Sequence, residues 1–366
     1  MLRFGPAWAL SAVLSLSACG SSQKPATLPA LAPAKPEAVK SLAQGVQVAR
    51  EAKGRERAIS LFERAVQVDG ELWEARYNLG VLRAEAGDLA RAEQELARAQ
   101  ALAPNAEDVA LALSEVRRRR KDPAGAIEAL ESFVQRHPDA ARASIALIAA
   151  LREGGKLDAA IELSHRVLVR RSRDARALSE LALSHLARGE VDTAKILIEE
   201  AAKAGPSAVT ERAAGLIALE QGDDALAFKH FSRATELDPN DTTARLNIGT
   251  VLLQAGVYDR AVSHFAAVQQ AEPDNLPAAL GLAAARRGQA KRDDKAAYAE
   301  VEKVLARVLE EEPENLAATY NLAVLYAEHA KRPQEATALF EKFLRAAPKS
   351  HPARPEAERW LSSRKK

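Results

Sequence analysis

Residues 73–106 read WEARYNLGVLRAEAGDLARAEQELARAQALAPNA, and this stretch decides the fold. Leu79-Gly80 lies inside a first apolar-periodic run, which Ala86-Gly87-Asp88 then interrupts. Gly87 suits the left-handed conformation that ends a helix, and Asp88 suits the N-cap of the next one. A second run follows, with small Ala92 and Ala99 on either side of Leu96. Small side chains let this run approach the first closely, and Pro104 stops it because proline cannot continue a helix. The stretch predicts a hairpin of two helices.

The signature returns along the chain. Ala58, Ala92, Ala126, Ala160 and Ala194 are spaced by 34 residues, and Phe62, Leu96 and Leu130 follow the first three at four places. The second helix face closes with Ala65, Ala99, Phe133, Val167 and Ala201, and Gly155, Gly189, Gly222 and Gly256 take the place of Gly87. Prolines 104, 138, 206, 239, 273, 313 and 348 mark the unit ends. A fixed period of this length is the mark of a stacked-repeat protein, in which no unit can bury its own apolar face. Nine copies are read: 39–72, 73–106, 107–140, 141–174, 175–207, 208–241, 242–275, 276–315 and 316–350. The first is degenerate, the fourth has Ser172 where others have proline, and the eighth carries the extra charged stretch 289–295. In residues 351–366, Ala357, Trp360 and Leu361 fall at helical spacing, which predicts a capping helix and a basic tail.

Composition agrees with an all-α stack: 47% of the chain is apolar but only 4% aromatic, a core of Ala, Leu and Val. A solenoid of 366 residues grows by length and needs no single large core. The net charge of +2 is too small for a nucleic-acid footprint, which requires a strong basic excess.

Leu79, Gly80, Ala92, Leu96, Ala99 and Pro104 match the tetratricopeptide repeat residue by residue, and the chain resembles that family over nearly all of residues 39–350. The resemblance implies a right-handed superhelix whose first helices line an inner surface. It also implies that Asn before the Leu-Gly position hydrogen-bonds the backbone of a bound peptide. Asn78, Asn247 and Asn321 hold that place, preceded by Tyr77, Leu246 and Tyr320. An amide offers donor and acceptor to a peptide bond, and Tyr brings rigid apolar area with a polar tip. The alternative is that these Asn bond within their own repeat and the Tyr pack between helices. The intervening repeats carry Ala112, Ala146, Glu180, Ala213 and Gly281, so no continuous Asn ladder exists.

Catalytic chemistry has no signature. Seven histidines are scattered, none at metal-ligand spacing from another ligand, and His230 and His264, 34 residues apart, sit one repeat step from each other. That step is about 10 Å, too long for joint ligation of one metal. No Gly-rich phosphate loop or Gly-x-Ser-x-Gly elbow is present. No metal, cofactor or enzymatic activity is expected. Arg117-Arg118-Arg119-Arg120-Lys121 closes the first helix of the third repeat, with Arg170, Arg171 and Arg173 at the foot of the fourth. The run reads either as a solvated helix end favoured by the helix dipole or as a docking face for acidic protein, lipid headgroups or polysaccharide.

At the other end, Arg3 precedes an apolar run from Ala7 to Leu16, too short to span a bilayer comfortably. Residues 1–18 thus read as a signal peptide. Leu16-Ser17-Ala18-Cys19 resembles a bacterial lipobox, which implies cleavage before Cys19 and acylation of its sulfur. An ordinary secretory signal is the alternative, but bulky Leu16 stands where that cleavage favours a small residue. Cys19 is the sole cysteine. Acylation by several chains holds a protein stably on a membrane. Gly20 rather than aspartate follows, which by the same resemblance implies the outer membrane, facing the periplasm. Residues 19–38, with prolines 25, 29, 33 and 36, read as a tether extending at about 3 Å per residue.

The expectation is an envelope lipoprotein scaffold that binds extended segments or helices of partner proteins. The array looks like the tetratricopeptide lipoproteins of the myxobacterial gliding-motility apparatus. Pilotin-like assembly of a secretin, or an adaptor for peptidoglycan or polysaccharide enzymes, are the other roles this pairing of features implies.

Overall fold

The computed structural model describes residues 33–273, 275–291 and 294–364. Cys19 and the signal segment lie outside them. Among the described residues there are nineteen α-helices and no strand. Two compact units divide the chain at Pro206–Ser207.

The first unit is five hairpins: α1 (Pro36–Val48) with α2 (Arg55–Val68), α3 (Trp73–Glu85) with α4 (Leu89–Leu102), α5 (Glu107–Arg119) with α6 (Pro123–Arg136), α7 (Ala141–Glu153) with α8 (Leu157–Arg170), and α9 (Ala175–Ala187) with α10 (Val191–Ala204). The second is four hairpins and a cap: α11 (Ala208–Glu220) with α12 (Asp224–Leu237), α13 (Thr242–Gln254) with α14 (Tyr258–Ala271), α15 (Leu276–Gln289) with α16 (Lys295–Glu311), α17 (Leu316–Glu328) with α18 (Pro333–Ala346), then α19 (Arg354–Arg364). The chain is all-α, as the period implies. Helix begins at Pro36, inside the stretch read as tether, because proline is at home in a first helical turn.

Turn chemistry sets the hairpins. Gly87, Gly155, Gly189, Gly222 and Gly256 all have positive φ. In the third and ninth repeats Lys121 (φ 60°) and Lys331 (φ 51°) take left-handed backbone without glycine. Asp88, Asp223, Asp241, Asn275 and Asn315 cap the helices they precede, each accepting a backbone N–H three residues on. Such a cap stabilises a helix end by about 1 kcal/mol. The six extra residues of the eighth repeat are partly helical: α16 has 17 residues against 14 in α14.

Packing follows the small-residue register. Ala58, Ala92, Ala126, Ala160, Ala194, Ala227 and Ala261 are all fully buried. Phe265 shows why glycine recurs on first helices: its ring lies against Gly249 and Gly281, and a Cβ on Gly281 would stand 2.4 Å from it. α19 closes the second unit, with Ala357 fully buried and the Trp360 ring 5.1 Å from Phe340.

Within each unit the first helices of neighbouring hairpins touch: α1 with α3, α3 with α5, α5 with α7, α7 with α9, then α13 with α15 and α15 with α17. No comparable contact joins successive second helices among the described residues. Close first helices and separated second helices bend a stack, so the first helices line its inner side.

Candidate functional site

The inner side is therefore where side chains meet across repeats without forming the hairpin core. A residue four places into a first helix and another seven beyond it share a face two turns apart. In the first unit these places hold Leu111 and Arg118 on α5, and Ile145 and Arg152 on α7. In the second they hold Leu246 and Leu253 on α13, and Leu280 and Arg287 on α15.

The two units treat this face differently. Arg118 clamps Glu153 of α7 through Nε and Nη2, both at 2.6 Å, and donates from Nη1 to Glu115 at 2.7 Å. Burial works against its charge, but Glu115 and Glu153 outweigh it and hold the guanidinium more firmly protonated than usual. Arg152 carries the chain of charges on to α9, donating from Nε to Glu180 at 3.1 Å. Glu180 is 6% exposed, and burying a carboxylate is costly unless such a partner compensates it. The bridges from α5 to α7 and from α7 to α9 fix this register on the side where first helices meet.

On α13 and α15 three of the same four places are leucine, where the first unit pairs Leu111 and Ile145 with two arginines. Leu246, Leu253 and Leu280 are half-buried against the cores beneath them. Arg287 makes no hydrogen bond or ion pair with any described residue, and its Nη1 is buried without a partner.

The asparagines sit at the expected place. Asn78 donates Nδ2 to the Glu74 carbonyl at 2.7 Å, Asn247 to Thr243 at 2.9 Å and Asn321 to Ala317 at 2.9 Å. Each bond lies within one helix and uses one of two amide hydrogens; the Asn247 and Asn321 amides are exposed. Of the tyrosines named beside them, Tyr320 packs its ring 5.2 Å from Phe343 and 6.1 Å from Phe340, as part of the core. Burial first, then a bond to Glu356, pushes its hydroxyl pKa up. Burial and the Asp108 charge do the same for Tyr77.

The basic run is not a bare cationic face. Arg117 donates to Glu93 at 2.9 Å, to the Gly125 carbonyl at 2.9 Å and to Glu128 at 3.1 Å. Arg119 donates to the Ala84 carbonyl at 2.8 Å, and Arg120 pairs with Glu93. Lys121 supplies the turn itself. Arg170 donates to the Pro138 carbonyl at 3.1 Å and stands 3.4 Å from Asp139. Tertiary pairing thus satisfies most of the charge that reads, in sequence, as a patch. Glu153, which clamps Arg118, lies 35 residues away, so local charge counting overlooks it, and its spacing close to the 34-residue period is the signal that finds it.

The histidines stay separate. His185 and His230 each meet one carboxylate, Glu190 and Glu211, while the His264 Nδ1 is buried without a partner. Burial, then Arg245 and Arg260, lower the His264 pKa. No group of three metal-ligating side chains occurs among the described residues, and no described helix is long and apolar enough to cross a membrane.

Comparison with known proteins matches this geometry to a family. A tetratricopeptide-repeat model matches residues 49–116 and 218–285, and a second such model matches 110–164 and 302–351. No curated protein matches the chain. Among solved structures, the APC/C hetero-tetramer Cut9–Hcn1 shares 15% identity at a TM-score of 0.53, covering 89% of this chain and 76% of that one. YrrB, a tetratricopeptide-repeat protein with an unusual peptide-binding site, shares 22% identity at a TM-score of 0.31, covering 64% of this chain and 99% of that one. PilW, a type IV pilus biogenesis factor, shares 15% at 0.46, covering 60% and 100%. With the helix hairpins, turn glycines and inner first helices already described, the two sets of repeat matches establish that the chain belongs to the tetratricopeptide-repeat family.

Proposed function

We propose that this protein is a non-enzymatic envelope lipoprotein scaffold, anchored through an acylated Cys19 and binding partner proteins on its first-helix faces. The observation that carries the binding half is the set of half-buried leucines on α13 and α15, which the protein's own packing leaves incompletely covered. Apolar side chains of this kind at the rim of a rigid frame gain free energy when a partner removes them from water. The anchoring half rests on the Leu16-Ser17-Ala18-Cys19 sequence alone. An outer-membrane, periplasm-facing place in a trans-envelope machine, that of gliding motility, completes the reading.

Crosslinked affinity purification of the tagged protein from intact cells, with metabolic labelling by a fatty-acid analogue, tests both halves. The expected result is label lost in Cys19→Ser and a defined set of envelope-machine proteins recovered with the unmutated chain. Recovery of cell-wall hydrolases instead moves the protein to an adaptor role. Label unaffected by Cys19→Ser removes the lipid anchor, and the absence of any specific partner removes the scaffold.

A further inference from the structure

Arg152 and Arg287 occupy one register: each lies eleven residues beyond the first residue of its helix, Ala141 for α7 and Leu276 for α15. Glu180, which pairs with Arg152, lies five residues beyond the start of the next first helix, α9. The corresponding residue five beyond the start of α17 is Asn321. The second unit therefore keeps the cation and replaces its carboxylate by an amide, whose Nδ2 already serves the Ala317 carbonyl. Arg287 is half-buried, its Nη1 lies buried without a hydrogen-bond partner, and no carboxylate of the described residues pairs with it directly. In the same register of α13 and α15, Leu246, Leu253 and Leu280 are half-buried apolar side chains.

We propose that this face binds an amphipathic helical segment of a partner protein. The segment sets leucine-sized side chains against Leu246, Leu253 and Leu280 and supplies an Asp or Glu carboxylate to Arg287 in the role Glu180 plays for Arg152. The inference rests on the reading of the first-helix faces as partner-binding and adds the chemistry of the ligand. Charge selects the occupant. The chain's own residues 1–32 are apolar in part but contain no Asp or Glu, so they cannot neutralise Arg287. A charge-assisted hydrogen bond at a desolvated site contributes enough to change affinity by about tenfold or more.

The test is selection of a random phage-displayed 16-residue peptide library on the full-length chain, followed by fluorescence anisotropy of the enriched peptides. Enriched sequences are expected to carry Leu, Ile or Phe at helical spacing together with one acidic residue. Replacing that residue by Gln, or making Arg287→Gln, should weaken binding about tenfold. Asn321→Glu, which gives Arg287 an internal partner and leaves the leucines in place, should weaken it as much. Arg173→Gln, exposed in the first unit, should leave it unchanged. Circular dichroism melts confirm that each variant is folded. Absence of enrichment, enrichment without acidic residues, or acidic peptides indifferent to both Arg287→Gln and Asn321→Glu overturns the proposal. Crosslinked partners recovered equally from Arg287→Gln cells would overturn it while leaving the scaffold reading intact.

Discussion

The first-helix face of α5, α7 and α9 and that of α13, α15 and α17 share one backbone register and differ in how they handle charge. The first is a chain of ion pairs running Glu115, Arg118, Glu153, Arg152, Glu180. The second holds leucines and one arginine without a partner. A repeat scaffold fixes where a side chain lies but leaves its chemistry free, because the hairpin core is made by other positions. A face whose charges are already satisfied gives a partner little to neutralise. A face with an unmet cation among apolar groups stands ready to gain from one.

The comparison can be broken by stability measurements. The largest effect belongs to the core both faces stand on: Phe265→Ala should cost about 3–5 kcal/mol in urea unfolding, since the ring is 1% exposed and fills the space between Gly249 and Gly281. Glu180→Ala comes next, at about 2–3 kcal/mol, because it strands Arg152 without its carboxylate. Arg287→Leu should do the opposite, leaving stability unchanged or raising it by about 1 kcal/mol, because it removes a charge that has no partner to lose. Equal losses for these two substitutions would erase the distinction between the faces. Asn321→Glu should add about 0.5 kcal/mol, and a double-mutant cycle with Arg287→Gln should assign that gain to the new pair.

The smallest effect is a pH dependence. His264 has its pKa lowered below 6.5 in the fold by burial, with Arg245 and Arg260 adding to it. The unfolded chain therefore binds this proton more readily, so the stabilisation is full above the unfolded value and is lost as pH falls toward the folded one. Unfolding midpoints followed from pH 8 to pH 5 should drop less in His264→Phe than in the unmutated protein, and parallel profiles would remove His264 as the cause.

Much of the fold was legible in the sequence because its determinants are local. Gly87 and Asp88 specify a helix stop and start within two residues, and the recurrence of Ala92 at 34-residue steps places the close helix approach. Lys121 and Lys331 escaped because left-handed backbone in lysine leaves no compositional mark. The candidate site was legible in position but not in state. Asn78, Asn247 and Asn321 lie on the first helices and bond within them, and Tyr320 packs on Phe343 of the second helix, the arrangement the sequence left open as the alternative to a groove. A count of charges did not tell that Arg118 would be clamped by Glu153, because ion pairing across a repeat is a tertiary event. Arg287 looked unexceptional until its register equivalents were seen with their partners.

The terminal helix α19 has a consequence for assembly. It lays Ala357 and Trp360 over the side of the last hairpin that, everywhere else in the unit, the next repeat covers. A stack of this kind has no inherent length limit, since each end presents the surface on which another unit could be added. A chain ending before Arg354 should offer that surface to its neighbours in solution, in a head-to-tail contact that no rotation axis closes. The eleven residues of α19 thus occupy the face on which a further repeat would otherwise stack.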